Sequence, residues 1–164
     1  MKFIQFSVKL RVLALSTAFA MVSATFPAWA ALGGDITSVQ SDQLHMQGMI
    51  RTTTKSSYAV HEIQSSAGTV VREYVASTGD SAGKVFAVAW QGPYVPDMRQ
   101  LLGSSFEQYA QAAKAQRNTR MRRGPLLIEQ PGLTVQISGH PRSFSGRAYI
   151  PQMLPQGVAA EDIR

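Results

Sequence analysis

The sequence contains no cysteine among its 164 residues. This absence excludes a disulfide scaffold, a thiolate metal site and a thiol enzyme. It also excludes the lipid-modified cysteine of a lipoprotein, so we expect no lipid anchor. Charged residues are scarce at 16% of positions, but 45% of positions are hydrophobic, which is unlike a disordered chain.

The first thirty residues lack acidic side chains and contain three basic ones. Residues 12–22 then form an uncharged stretch that is shorter than the ~20 residues a membrane-spanning helix needs. The small residues Ala28 and Ala30 follow. This order is typical of a secretory signal peptide that is cleaved between Ala30 and Ala31.

We therefore predict a signal peptide over residues 1–30 and a single exported α+β domain over residues 31–164, without a transmembrane helix. No twin arginine precedes the uncharged stretch, which favours Sec-type export to the periplasm or the exterior. Removal of the signal lowers the net charge from +6 to +3, because three basic residues and no acidic one are lost.

Two helical segments and six strands are predicted from the spacing of apolar residues and from the turn-forming residues between them. A weak apolar stripe between Asp35 and Gly48 predicts a short N-terminal helix, with Asp35 as its N-cap. Asp97 and Gln100 resemble a capping box, which starts a long helix ending near Arg117. The polar residues 51–57 are predicted to be a connector. The predicted strands span residues 58–64, 69–76, 84–90, 126–130, 133–138 and 143–150.

The connections between these strands are short enough for hairpins, so the sheet is predicted to be antiparallel. The expected fold class is α+β, with five to six strands arranged as a three-stranded meander and a C-terminal hairpin. The long helix lies across one face, and Gly103 in its interior costs about 1 kcal/mol relative to alanine. Residues 157–164 are predicted to be a short tail.

Four stretches of the sequence resemble a family of small exported bacterial proteins classed as a domain of unknown function. The most characteristic pieces are AVAWQGP at residues 87–93 and GRAYIP at residues 146–151. The resemblance implies an exported bacterial protein without an assigned activity, so it supplies no catalytic residue. The four stretches span residues 31–40, 58–75, 83–103 and 145–158.

The three histidines, His45, His61 and His140, have no metal-site spacing. His61 and Glu62 are neighbours on a predicted strand, so they point to opposite faces and cannot share a metal or a proton. A contact of either residue with Arg72 across the first hairpin is the simpler alternative. We predict no catalytic residue, no cofactor and no metal site, although an envelope hydrolase stays open as a third alternative.

Half of the ten residues from Lys114 to Arg123 are basic and none is acidic. This basic segment is a candidate patch for anionic lipid headgroups, an acidic envelope polymer or an acidic partner protein. Nucleic acid is not expected, because the segment lacks aromatic residues for stacking. Alternatively, the segment only complements the helix dipole and solvates a connector. Its basic residues are Lys114, Arg117, Arg120, Arg122 and Arg123.

Trp90 and Tyr94 are a candidate aromatic rim of a ligand groove, because they lie where a strand meets a proline-rich loop. Alternation places Phe86 and Trp90 on one strand face, and packing in the core is the alternative for both. Together these features favour a non-catalytic binding or accessory protein of the cell envelope. A structural or assembly role, through an exposed strand such as residues 143–150, is the second hypothesis.

Overall fold

The structure is a computed structural model that describes residues 32–119 and 124–164. A seven-stranded sheet forms its centre, and every neighbouring pair of strands is antiparallel. The strands are β1 (Met49–Thr54), β2 (Tyr58–Gln64), β3 (Val70–Ala76), β4 (Val85–Gly92), β5 (Leu126–Gln130), β6 (Leu133–His140) and β7 (Ser143–Tyr149). They lie in the order β1-β2-β3-β4-β7-β6-β5. The helices are α1 (Ile36–Met46), α2 (Met98–Leu102) and α3 (Phe106–Thr119).

The predicted class is confirmed, because an antiparallel sheet combines with one long helix and a short N-terminal helix. The predicted count of five to six strands is too low, because the sheet has seven. The missing strand is β1, which lies largely within the predicted connector of residues 51–57. All six of its residues are exposed, so β1 lacks the apolar alternation by which strands are recognised, although threonine itself favours strands.

The predicted long helix is divided at Gly103 into α2 and α3. Gly103 has a φ of +48°, a conformation that favours glycine, and a single 3-10 turn over Gly103–Ser105 joins the two helices. The side chain of Asp97 accepts hydrogen bonds from the backbone N–H groups of Arg99 and Gln100, at 2.9 and 3.3 Å, as a true N-cap does. The other predicted cap, Asp35, makes no such bond.

One face of the sheet is covered by the helices. Leu101 and Leu102 of α2 are fully buried there, and Val39 of α1 is 2% exposed. Every strand except β1 contributes buried apolar side chains to this helix-side core: Ile63, Val71, Val75, Val85, Val88, Trp90, Ile128, Leu133, Val135 and Ala148.

On the opposite face of the sheet, the C-terminal segment, residues 151–164, packs against the strands and shields part of that face from solvent. Ile163 is 1% exposed and packs in a second apolar cluster with Tyr74 and Phe86. The Tyr74 hydroxyl donates to the backbone carbonyl of Arg164 at 2.8 Å and accepts from its N–H at 3.0 Å. The prediction of a mere tail is therefore wrong, because these residues complete the core on the second face.

A register shift in β4 changes which residues share a face. Tyr74 is opposite Ala87 and the next residue, Val75, is opposite Val85, so Phe86 is an extra residue on β4. Phe86 consequently packs in the second cluster, while Trp90 packs in the helix-side core. The prediction that both rings share one face is wrong, because simple alternation does not hold across a β-bulge.

Candidate binding surface

The predicted site residues lie in different parts of the molecule. Trp90 is 2% exposed and Tyr94 is 62% exposed, so only Tyr94 presents its ring to solvent. Lys114 and Arg117 are exposed on α3. The remaining basic residues of the Lys114 to Arg123 segment, and the predicted cleavage site, lie outside the described residues: Arg120, Arg122, Arg123, Ala28, Ala30 and Ala31.

The three histidines are also separated. His45 lies on α1, His140 is exposed at the end of β6, and His61 is buried on β2. Across the β2–β3 hairpin, Arg72 Nε donates to Glu62 Oε2 at 2.8 Å, one of the two contacts that the sequence suggested. Over residues 32–119 and 124–164, no three histidine or acidic side chains group in a way that could hold a metal.

A buried polar cluster on the helix side was not predicted. Asp42 of α1 and Glu73 of β3 are each 1% exposed, and their carboxyl groups interact with each other. Gln100 of α2 donates its Nε2–H to Asp42 Oδ1. His61 lies directly opposite Glu73 in the β2–β3 register, and its Nδ1 is 3.0 Å from Thr52 Oγ1. The sequence did contain one indication of this cluster. Glu73 is two residues after Val71, so it shares the face of the strand on which an apolar side chain is expected.

Burial controls the protonation of this cluster. Burial, followed by the neighbouring carboxyl group of Asp42, raises the pKa of Glu73 to about 10. Burial also raises the pKa of Asp42, against the lowering effects of Glu73, of the hydrogen bond from Gln100 and of His45. Burial lowers the pKa of His61. The pair therefore retains a proton at neutral pH, and its sealed position makes it a structural link between α1, α2 and the sheet.

An accessible groove lies near the β1 edge. It has a volume of about 510 Å³ and an opening toward solvent. Arg51 and Thr53 of β1 and Lys55, the residue that follows the strand, form one wall of the groove, called the β1 wall. They lie on the opposite side of the strand from Thr52, whose hydroxyl contacts His61. Its other lining residues come from β2, β3 and the C-terminal segment: Tyr58, Val60, Glu62, Arg72, Tyr74, Asp162 and Arg164.

The acidic side chains of this groove are already bonded, whereas two of its basic side chains are not. Glu62 is paired with Arg72, and Asp162 accepts a hydrogen bond from the backbone N–H of Ala159 at 2.9 Å. Arg51 and Lys55 are exposed, and no acidic side chain of the described residues lies within 4.0 Å of either cation. Arg51 lies directly opposite Glu62 in the β1–β2 register, but the carboxylate of Glu62 is bonded to Arg72. The β1 wall therefore presents two cations that have no ion pair of their own.

The two edges of the sheet differ in protection. Along β5, the side chains of α3 reach over the edge: Gln116 Nε2 donates to the carbonyl of Leu127 at 2.6 Å. Gln108 Nε2 donates in the same way to Pro131 at 3.1 Å, just after the strand. β1 is exposed at all six positions. The strand over residues 143–150, which the sequence suggested as an exposed edge, is β7, and it pairs with β4 and β6.

Comparison with known families identifies the chain. The model of the DUF2844 family, described as a protein of unknown function, matches residues 28–163. The chain belongs to this family. The resemblance to a domain of unknown function is thereby confirmed, and DUF2844 membership assigns no activity. Searches of curated proteins and of solved structures found no significant match. None of the helices in the described part of the chain has the length and apolar character to cross a membrane.

Proposed function

We propose that the protein is an exported, non-catalytic binding or accessory module of the bacterial cell envelope that contacts an anionic partner. One observation carries the proposal: Arg51 and Lys55 line the same wall of an open groove at the sheet edge, and neither forms an ion pair among the described residues. Export rests on the signal-like pattern of residues 1–30. The family resemblance to exported bacterial proteins supports the same compartment.

The position of these cations suits reversible contact with an anion. At about 4 Å, two opposite unit charges attract by roughly 1 kcal/mol in water and roughly 4 kcal/mol at the effective dielectric of a protein surface. Two such contacts give a modest affinity that falls as salt is added, since exposed charges are screened over about 8 Å at physiological ionic strength. The basic segment from Lys114 to Arg123 is a second candidate contact of the same kind.

A binding role fits the groove better than hydrolysis does. Among the described residues that line it, none is a histidine or serine, and its two acidic side chains are already bonded. The acids whose pKa values are raised by burial, Asp42 and Glu73, are sealed in the core. A nucleophile beside an accessible base, the arrangement that hydrolases share, is therefore missing from this groove.

Binding to two soluble polyanions, polyglutamate and alginate, tests the proposal. We expect the exported protein to bind at least one of them, with an affinity that falls about tenfold or more in the double variant Arg51→Gln, Lys55→Gln. The triple variant Arg120→Gln, Arg122→Gln, Arg123→Gln is compared in parallel. A loss of affinity in the triple variant alone would show that the basic segment, and not the groove, contacts the anion. The absence of any salt-sensitive binding would contradict an anionic partner.

Export is tested separately. We expect the intact mass of the protein recovered from the periplasm or medium to correspond to a chain that begins at Ala31. The variant Ala30→Arg introduces a long charged side chain at the predicted cleavage position, so it should retain the first thirty residues. Recovery of uncleaved wild-type protein from the cytoplasm would contradict export.

A further inference from the structure

We propose that the groove and the β1 edge together bind an extended acidic polypeptide segment, which adds to the sheet as an eighth strand along β1. This inference rests on the proposed function and specifies its anionic partner. It combines two properties of β1 that are independent of each other: unpaired backbone groups along its outer edge, and cations along one of its faces.

The backbone of β1 has a defined outward register. The N–H of Lys55 donates to the carbonyl of Tyr58 at 2.8 Å, so the backbone of Lys55 faces β2. In an antiparallel pair, consecutive residues alternate between bonding the neighbour and pointing away from it. Arg51 and Thr53 therefore also bond β2. The N–H and C=O groups of Ile50, Thr52 and Thr54 point outward, where the described chain places no further strand.

The side chains of β1 select the charge of the incoming strand. Arg51 and Lys55 are four residues apart, which is roughly 13 Å along a strand, and both lie on the groove side. An added strand with carboxylates four positions apart on its groove face would place each one opposite a cation. Cross-strand pairs of opposite charge stabilise an antiparallel pair of strands, and like charges directly opposite each other destabilise it.

Other occupants fit less well. A second copy of β1 would bring another Arg51 and Lys55 to the same face, so self-pairing would gather four positive charges there without an anion. An acidic polysaccharide would match the cations but would not use the outward backbone groups of Ile50, Thr52 and Thr54, because it lacks a peptide backbone. Only an acidic polypeptide uses both sets of groups.

The test uses the exported protein and a capped nine-residue peptide of alternating glutamate and threonine as the probe. The variant Thr54→Pro removes one outward N–H without removing a bond to β2, and Thr54→Val is its matched control. We expect Thr54→Pro and the double variant Arg51→Gln, Lys55→Gln each to weaken peptide binding at least tenfold. Thr54→Val should bind as the wild type does, and a peptide of alternating lysine and threonine should not bind.

Modified peptides keep the test decisive if Thr54→Pro fails to fold. Two versions of the acidic peptide are N-methylated, one at every glutamate and the other at every threonine, so that each lacks the donors of one edge. Since an added strand pairs through one edge, we expect one version to lose at least tenfold in affinity for the wild-type protein.

The possible results separate the two proposals. Equal binding of both N-methylated peptides would overturn strand addition. If the Arg51→Gln, Lys55→Gln variant still lost affinity, an anionic partner would stand, and a polysaccharide would become the favoured class. If that variant bound the peptide and the polyanions as the wild type does, both proposals would be overturned. The anionic partner would not bind at this groove, and no acidic strand would pair with β1 there.

Discussion

Asp42 of α1 and Glu73 of β3 are neighbouring carboxyl groups inside the core, and each side chain is 1% exposed. Burial disfavours the charged form of both groups, and the charge of Asp42 raises the pKa of Glu73 further, so Glu73 keeps its proton at neutral pH. Gln100 donates to Asp42, which directs the remaining negative charge toward that side of the pair. Loss of the Glu73 proton would place a second negative charge where α1 and α2 contact the sheet, so the stability of that contact depends on pH.

We expect the free energy of unfolding to fall as pH rises from roughly 7 to 9. The pKa of Glu73 is about 10 in the folded protein and 4.5 for an ordinary glutamate, so only the folded state keeps this proton in that range. One retained proton corresponds to a decrease of at most about 1.4 kcal/mol per pH unit. Urea unfolding at several pH values measures the slope.

The variant Glu73→Gln is the control for this dependence. The amide cannot ionise, so the slope above neutral pH should disappear. The lowered pKa of His61 acts in the opposite sense, but its effect is complete once pH exceeds the ordinary histidine value of 6.5. A wild-type stability that stays constant or rises with pH over this range would contradict a proton on Glu73.

Replacement of Gln100 by alanine should destabilise the fold by about 1–3 kcal/mol. Gln100 is 7% exposed, and its loss leaves the Asp42 carboxyl without its amide donor in a buried site. Gln40→Ala is a matched control, because Gln40 is exposed on α1. Chemical denaturation compares the two variants, and equal stabilities would show that the Asp42 to Gln100 bond contributes nothing.

We predict that Gly146→Ala destabilises the protein by roughly 1–3 kcal/mol through overpacking. A Cβ at this position would overlap the Trp90 ring, with Cε2 only 2.5 Å away, and would lie 2.8 Å from the carbonyl oxygen of Gln136. Thermal unfolding measures the loss. The variant Trp90→Leu tests the cause, because Gly146→Ala should be better tolerated in that background than in the wild type.

The two aspartates that precede helices should respond differently to alanine. Asp97→Ala removes a side chain that accepts two backbone N–H bonds, so we expect a loss of about 1 kcal/mol. Asp35→Ala removes only an exposed ion pair with Lys84, at 2.7 Å, and such pairs contribute roughly 0–1 kcal/mol. Equal losses, measured by urea unfolding, would contradict the assignment of Asp97 alone as an N-cap.

Sequence reasoning found the elements that have local signals. β2 and β5 match their predicted bounds, and α1 ends at Met46, two residues before the predicted stop at Gly48, because turns and apolar spacing are encoded over a few residues. It missed β1, whose pairing with β2 is not visible in its own hydrophobic pattern. It also treated Gly103 as a tolerated interior residue, whereas the backbone there breaks the helix.

The candidate surface was less predictable than the fold. The basic residues from Lys114 to Arg123 form a cluster that is visible in the sequence, because they are close together along the chain. Arg51 and Lys55 belong to a groove only because β1 joins the sheet beside β2 and the chain returns at Arg164. The pairing of Asp42 with Glu73 likewise depends on the docking of α1 onto β3, so sequence could mark Glu73 as out of place but could not name its partner.

The closing segment over residues 151–164 has a consequence for the order of synthesis and folding. Bonds such as that between the Tyr74 hydroxyl and Arg164 join residues 90 positions apart, and contacts over such separations form slowly. A chain threaded N-terminus first through a secretion channel cannot bury Phe86 beneath Ile163 until Ile163 has passed through. For a protein exported as proposed, the second face of the core would stay incomplete until residues 151–164 have crossed the membrane, which keeps the chain competent for transport up to that point.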